Sequence, residues 1–353
     1  DRIIQGNKMS LMSYDNVISS LIKKKRTPHL LLGNGFSIAY DPNIFSYNAL
    51  HTFIHRIDDP LLTKLFDIVN TKNFELVMQQ LNNFCELIEA FSTDKKLLED
   101  VRKASSSLKC SLVDAIKELH PEHVFEISDD ECAHCAEFLS PYLDHKGNIF
   151  STNYDVLLYW VLMRSKLSNG DGFGRDREDD PDDHETELEL SDELYWGRNA
   201  STQTVHYLHG ALPIFDTGIE VIKEHYDGDY LLENIEKRLE RGEYPIFVAS
   251  GNGEEKLNHI MHNRYLSYCY ETLAGIEGSL VTFGFNFGEY DHHIIEAINT
   301  ASKRKKDKEF KDKLWSVYIG VYSDEDRKHI EKIAHKFKPK VTLYDAKTVS
   351  IWR

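Results

Sequence analysis

The amino-acid sequence predicts an α/β fold, with a doubly wound, mostly parallel sheet of about six to seven strands. Short apolar runs recur along the chain, and most are followed by a segment with helical spacing of its apolar residues. Strands of parallel sheets are buried on both faces, so they are expected as continuous apolar runs of this kind. Several runs also end in glycine or in a polar cluster, as strands do where parallel sheets bind ligands.

The predicted elements alternate along the chain and form one domain over residues 14–353. A first helix covers residues 14–25. A helical insertion covers about 46–143, where apolar residues from Phe74 to Phe91 share one helix face. An acidic loop insertion covers about 170–200. The predicted strands are 29–33, 147–151, 204–208, 245–249, 279–283, 315–321 and 341–344.

Charge limits the classes of partner. Lys and Arg number 42 against 58 for Asp and Glu, a net charge of −16, which disfavours direct binding of nucleic acid. Residues 176–193 hold eleven acids and one arginine, a composition typical of a solvated excursion. Residues 303–313 hold seven basic and three acidic side chains. We expect a solvated helix end there, with a dock for an acidic partner as the alternative.

Hydropathy and cysteine usage indicate the compartment. No apolar run is long enough to span a membrane, and the first residues lack the apolar core of a signal peptide. The five cysteines are scattered and odd in number, which favours a reducing environment. We therefore expect a cytoplasmic protein with no membrane partner. Cys132 and Cys135 have the spacing of zinc ligands, but no second pair accompanies them, so no metal is expected.

The first predicted strand ends in a glycine turn that leads into a helix. Such a turn can present backbone N–H groups to a phosphate, although an ordinary strand–helix turn is the alternative. Ile38 stands where a dinucleotide-binding fingerprint has its third glycine, and no clear ribose-binding acid follows about 20 residues later. A P-loop lysine is also missing. The residues of the turn are Gly33, Asn34, Gly35, Phe36 and Ser37.

Three other predicted strands end in polar or glycine residues. Because the carboxyl ends of parallel strands share one edge of the sheet, these residues can converge with the glycine turn. A helix cap would explain one polar residue, and a strand-end histidine could simply bond a carbonyl. The residues are Thr152, Asn153, Tyr154 and Asp155 after the second strand, His209 and Gly210 after the third, and Gly284, Asn286 and Asp291 after the fifth.

In these motifs the chain resembles the sirtuin superfamily, in particular the bacterial sirtuin-like proteins of anti-phage defence. The motifs keep the family's order and strand context over residues 29–295. The resemblance implies a Rossmann-like fold. Gly33-Asn34-Gly35-Phe36-Ser37 stands where that family has Gly-Ala-Gly-x-Ser, Asn153-Tyr154-Asp155 matches its Asn-x-Asp, His209-Gly210 matches its His-Gly, and Gly284-Phe285-Asn286 resembles its late Gly-x-Ser.

The resemblance implies NAD⁺ as the ligand, and we expect the chain to hydrolyse it to ADP-ribose and nicotinamide. Asn153 would order the ribose and an attacking water, because its amide both donates and accepts hydrogen bonds. His209 would be the general base, and Asp155 would accept from the nicotinamide carboxamide. Residues 33–37 would hold the pyrophosphate through backbone N–H groups. The other residues of the expected NAD⁺ site are Thr152, Tyr154, Gly284, Asn286 and Asp291.

The resemblance also implies a role in bacterial antiviral defence. A hydrolase that depletes NAD⁺ must be silent until needed, so we expect a homo-oligomer or a partner such as a HerA-type hexameric ATPase. Deacetylating sirtuins carry a four-cysteine zinc module, and its absence here favours hydrolysis. Two alternatives stay open: a non-catalytic module that senses NAD⁺ or ADP-ribose in a defence assembly, and a protein deacylase or ADP-ribosyltransferase. Serine-hydrolase chemistry is disfavoured, since no Gly-x-Ser-x-Gly exists.

Overall fold

In the part of the chain that the structure describes, the strands form one parallel and one antiparallel sheet. The computed structural model describes residues 11–44, 74–121, 123–175, 193–225, 231–241, 243–248, 253–303 and 313–353, with residues 60, 64 and 68. The strands are β1 (Met12–Ser13), β2 (Pro28–Leu32), β3 (Ile149–Ser151), β4 (Phe173–Gly174), β5 (Leu194–Trp196), β6 (Val205–Tyr207), β7 (Ile214–Asp216), β8 (Val221–Lys223), β9 (Gly278–Phe283), β10 (Leu314–Val321) and β11 (Lys340–Asp345).

Helices follow or precede most of these strands. The α-helices of the described residues are α1 (Tyr14–Lys23), α2 (Asn34–Ile38), α3 (Phe74–Phe91), α4 (Lys95–Leu119), α5 (Asp129–Leu143), α6 (Leu157–Arg164), α7 (Leu231–Glu240), α8 (Gly253–His262), α9 (Arg264–Gly275), α10 (His292–Ala301) and α11 (Asp324–Ile333). Short 3₁₀ turns lie at Val124–Glu126, Ala200–Thr202, Glu289–Asp291, Ala334–Lys336 and Ala346–Thr348.

The parallel sheet has seven strands in the order β1-β11-β10-β9-β2-β3-β6. Apart from β1, this is the Rossmann order 3-2-1-4-5-6, with β2 as the first strand. The predicted α/β fold class is therefore confirmed. The sequence did not predict β1, whose two residues pair in parallel with β11, Met12 opposite Tyr344.

The central strand β2 shows why apolar runs became strands here. Leu30, Leu31 and Leu32 are all fully buried, since β3 and β9 flank the strand and side chains cover both faces of the sheet. Burial of each leucine contributes about 1.5–3 kcal/mol relative to exposure. Position 29 is a histidine, which can be buried here because it hydrogen-bonds to backbone on both sides.

The antiparallel sheet has the order β4-β5-β8-β7 and was not predicted. Its strands have only two or three residues, too few for an alternating pattern to be detected. The ends of the acidic insertion belong to it, since Phe173 pairs with Trp196. Within that insertion, residues 176–192 lie outside the described residues. The same holds for residues 304–312 of the basic stretch.

A fourth strand was predicted at residues 245–249, and for the described residues, 245–248, this prediction is wrong. Pro245 forms a single antiparallel bridge with Phe215, and the segment runs beside β7 instead of joining the parallel sheet. The Ile246 amide donates to the Ile214 carbonyl at 2.8 Å. Ile246, Phe247 and Val248 are buried, so their apolar character is explained by burial alone. A short apolar run does not distinguish a strand from an extended buried segment.

Within the predicted helical insertion, the described residues form α3, α4 and α5, while residues 45–59 and most of 60–73 lie outside the described residues. The apolar stripe of α3 is only partly buried: Val77 and Ile88 are buried, whereas Phe84 and Phe91 are 42% and 84% exposed. Among the described residues, no helix combines the length and the apolarity that crossing a membrane requires.

Buried histidines hold backbone groups of several elements. Nδ1 of His29 accepts from the Asn148 amide at 3.0 Å, so Nε2 donates to the Glu277 carbonyl at 2.7 Å. Nε2 of His120 accepts from the Val156 amide at 3.1 Å. Protonation would destroy each of these acceptors, and burial lowers the pKa of His29 and of His120 to about 4.

We expect the free energy of unfolding to fall as pH decreases from about 6.5 to about 4. In this range unfolded histidines bind protons that the buried neutral rings do not, at about 1.4 kcal/mol per pH unit for each. His120→Gln retains an acceptor without a titrating ring, so its stability should depend less steeply on pH. Urea unfolding at pH 7.5, 6.5 and 5.5 measures this.

The control is His134→Gln, because His134 is exposed on α5. It should keep the pH dependence of the wild type. An unchanged slope for His120→Gln would contradict the assignment of His120 as a buried neutral ring.

Candidate functional site

The predicted site residues follow strands that are neighbours in the sheet. The strands β9, β2, β3 and β6 lie side by side and run in parallel, so their carboxyl ends form one edge. The chain moves outward from β2 to β3 and β6, then crosses back to β9 on the other side of β2. Ligands of open α/β sheets bind at such a switch point. The glycine turn after β2 lies at this position.

At the switch point the turns after β2 and β9 touch backbone to backbone. The amides of Gly33 and Gly35 donate to the carbonyls of Phe283 and Gly284, both at 3.0 Å. A Cβ on Gly35 would lie 2.5 Å from Cα of Gly284, and one on Gly33 would lie 2.4 Å from the Gly284 oxygen. Gly284 has φ of +65°, a conformation that favours glycine. Close packing therefore requires these glycines.

These hydrogen bonds occupy amides that were predicted to bind a phosphate at residues 33–37. The amides of Gly33, Gly35 and Phe36 already have acceptors within the protein, the last being the Gly33 carbonyl at 3.0 Å. Trp352 also fixes this segment, since its indole N–H donates to the Phe36 carbonyl at 3.0 Å. Contact with a pyrophosphate stays a prediction, and it would need donors other than these three amides.

Asn153 joins the second motif to the glycine turn. Its Nδ2 donates to the Gly33 carbonyl at 3.1 Å and to Oγ of Ser37 at 3.0 Å. Ser37 in turn donates to Oδ2 of Asp155 at 2.5 Å. The backbone amide of Asn153 donates to Oγ of Ser151 at 3.1 Å, which fixes the start of the loop after β3. The structure thus brings Gly33, Ser37, Asn153 and Asp155 together as predicted.

Oδ1 of Asn153 is buried and has no hydrogen-bond partner among the described residues. The amide cannot be rotated to remove this, because the Gly33 carbonyl accepts only and must face Nδ2. A buried acceptor without a donor costs about 1–3 kcal/mol. Such an atom needs an explanation, and a bound ligand with a hydroxyl or N–H donor is one.

Asp155 already uses both carboxylate oxygens. Oδ2 accepts from Ser37, and Oδ1 accepts from the Leu157 amide at 3.0 Å at the start of α6. Burial raises the pKa of Asp155 to about 6, and the bonds from Ser37 and Leu157 oppose this rise. Its predicted contact with a carboxamide would be a further bond to an oxygen that is already occupied.

The neighbouring residues Thr152 and Tyr154 also bond within the protein. Oγ1 of Thr152 donates to the Leu32 carbonyl at 3.2 Å, which ties the loop after β3 to β2. The Tyr154 hydroxyl donates to the Val248 carbonyl at 2.9 Å. Both residues are buried. They hold the loop in place, and ligand contact by either stays a prediction.

His209 is buried after β6 and contacts a second histidine. Its Nε2 lies 2.9 Å from Nε2 of His293 on α10. The next residue, Gly210, has φ of +80° and leaves no space for a Cβ, which would lie 1.8 Å from the Ile246 oxygen. Burial lowers the pKa of His209 well below its ordinary value, and His293 and Lys256 lower it further. His209 is therefore neutral at neutral pH.

The sequence did not predict His293 as a site residue, although it stands two residues after the predicted site residue Asp291. Asp291 itself accepts from Lys256 at 3.2 Å and from the Gly288 amide at 3.2 Å. It therefore closes its own turn and pairs with α8. Asn286 is exposed, and no hydrogen bond joins it to the other predicted site residues in the described part of the chain. The structure does not bring Asn286 into the buried network.

Cys132 and Cys135 are buried on α5, whereas the intervening His134 is exposed. Burial raises the pKa of both thiols. Within the described ranges, no group of three or more His, Cys, Asp or Glu side chains could hold a metal ion.

Fold and site together define an α/β protein with Rossmann strand order and a buried polar network at the switch point. The sequence pattern of a family described as a domain of unknown function (DUF4917) matches residues 30–352. The chain belongs to this family. A comparison with curated proteins gave no match.

The glycine contact predicts the effect of adding a single methyl group. Gly35→Ala should lower the free energy of unfolding by about 1–3 kcal/mol, because its Cβ would meet the backbone of Gly284. Gly275→Ala is the control, since nothing lies within 4 Å of its Cβ at the end of α9. It should leave stability unchanged or slightly higher. Equal urea midpoints for the two variants would contradict the close approach.

Proposed function

We propose that the protein is an NAD⁺ hydrolase, which cleaves NAD⁺ to ADP-ribose and nicotinamide. The observation that carries the proposal is the buried, unpartnered Oδ1 of Asn153. Its side chain bonds to the glycine turn at the switch point of a Rossmann-ordered sheet. That is the place where such sheets bind nucleotides, and a ribose hydroxyl is a donor of the required kind.

The chemistry matches the polar groups at this edge. Cleavage of the nicotinamide–ribose bond passes through an oxocarbenium-like state, as in other glycosyl transfers. In this proposal Asn153 accepts from the ribose or from the attacking water through Oδ1. His209 is neutral at neutral pH and can therefore take the proton of that water. Asn153 thus orients the ribose or the water by a hydrogen bond, His209 removes the proton of the water, and NAD⁺ is the substrate.

The resemblance to sirtuin-like defence proteins supports the wider setting. We extend the proposal to antiviral defence, in the cytoplasm, with activity controlled by a homo-oligomer or a HerA-type ATPase. The net charge of −16 disfavours direct nucleic-acid binding.

A second candidate is a module that senses NAD⁺ or ADP-ribose without turnover. The low pKa of His209 favours it, because a ring that is hard to protonate is a weak base. The internal bonds of Asp155 point the same way, since its oxygens already have donors. Binding of ADP-ribose without NAD⁺ cleavage, unchanged by His209→Gln, would support this candidate. Acyl removal from a lysine peptide, or ADP-ribose transfer to one, would indicate a third.

We expect the purified chain to release nicotinamide from NAD⁺, and Asn153→Ala to lower kcat by about 100-fold. The variant removes the acceptor Oδ1 while the surrounding strands stay in place. Nicotinamide and ADP-ribose are quantified by chromatography, and ADP-ribose binding by calorimetry. Asn16→Ala is the matched control, because Asn16 is exposed on α1.

The control should behave as the wild type in both measurements. The proposal fails if the wild type neither binds ADP-ribose nor cleaves NAD⁺ over a wide range of protein concentration. It also fails if Asn153→Ala, with an unchanged melting temperature, cleaves NAD⁺ as fast as the wild type.

A further inference from the structure

Two buried histidines face each other at the carboxyl edge of the parallel sheet, beside the candidate site. His209 follows β6 and His293 lies on α10, 84 positions later in the chain. Their Nε2 atoms are 2.9 Å apart, their ring centroids are 5.1 Å apart, and both rings are buried. Two lone pairs would repel at this distance, and two N–H groups would collide. One proton must therefore lie between the rings, so the tautomer of one ring determines that of the other.

Burial, together with the surrounding charges, keeps both rings neutral. Lys256 on α8 lies near both histidines and lowers the pKa of each, beyond the larger effect of burial. His259 acts on His209 in the same direction, and His292 acts on His293, whose pKa falls to about 3. Lys256 also forms an ion pair with Asp291, at 3.2 Å. Each ring therefore carries a single proton at neutral pH.

The role proposed for His209 decides the direction of this bond. A base needs a ring nitrogen with a free lone pair, and Nε2 of His209 faces His293, so that nitrogen is Nδ1. Nε2 of His209 then carries the proton and donates to Nε2 of His293, which leaves the proton of His293 on its Nδ1.

This leaves Nδ1 as the basic nitrogen of His209. Among the described residues, none hydrogen-bonds to this atom. A histidine that acts as a base needs one nitrogen with a lone pair directed to its substrate and a second nitrogen held by a partner. His293 supplies the second requirement.

We propose that His293 is a positioning residue for His209: it accepts the Nε2 proton, holds the ring and makes Nδ1 the atom that receives the proton in NAD⁺ cleavage. The proposal rests on the proposed function. Water oxygen bonds to the ribose carbon, and the carbon–nitrogen bond breaks with its electron pair on the nicotinamide nitrogen. The water proton goes to Nδ1 of His209 and is then released to solvent. The Nε2 proton stays between the rings.

Two substitutions at position 293 separate this role from a structural one. His293→Gln retains an oxygen acceptor at about the reach of Nε2 and should keep kcat within several-fold of the wild type. His293→Leu fills similar space without an acceptor. It should lower kcat by about 100-fold with little change in KM, because a misoriented base acts on the chemical step. Circular dichroism and melting temperatures establish that both variants are folded.

A direct measurement does not depend on turnover. Nitrogen NMR of the full chain labelled at histidine, with signals assigned through His209→Gln and His293→Gln, reports the tautomer of each ring. We expect His209 protonated at Nε2 and His293 at Nδ1. The opposite tautomers would overturn the proposal. So would equal kcat losses for folded His293→Gln and His293→Leu. If the wild type cleaves no NAD⁺ while the tautomers are as expected, the proposed function fails and the pairing stands.

Discussion

The close contact between the glycine turn after β2 and Gly284 after β9 is the constraint on which the candidate site depends. It joins the two strands where the order of the sheet reverses, through amide–carbonyl bonds from Gly33 and Gly35. No other residue type permits a Cα-to-backbone approach this close. Because the Gly33 carbonyl also accepts from Asn153, the position of that side chain follows from the same contact.

Burial determines the protonation of the site as well as its shape. The carboxyl of Asp155 is harder to ionise than usual, with a pKa of about 6, and His209 is harder to protonate. Both groups therefore favour their neutral forms more than exposed ones do. His29 and His120 show the same effect, since their neutral rings accept from backbone amides, and the amide that His120 holds is that of Val156, next to Asp155. Buried neutral histidines therefore serve as hydrogen-bond acceptors for backbone amides in several parts of this protein.

The sequence predicted the parallel sheet because its strands are short, continuous apolar runs such as Leu30–Leu32, which burial on two faces requires. It also predicted that Ser37, Asn153 and Asp155 lie close together, since the carboxyl ends of parallel strands share one edge of the sheet. It failed at residues 245–248, where burial with a single antiparallel bridge to β7 produces the same pattern. It missed the antiparallel sheet, because strands such as β4 are too short to show a period.

By itself, the sequence determined the fold class, the order of the motifs and the presence of Asn153 and His209 at strand ends. These are local properties, since apolar runs and glycine turns act within a few residues of chain. Only the tertiary structure decided that His293 faces His209, that Gly35 touches Gly284 and that Oδ1 of Asn153 lacks a partner. Each of these depends on a distance between residues far apart in the chain. Such distances are set by the order of the strands in the sheet and by the packing of the helices against it.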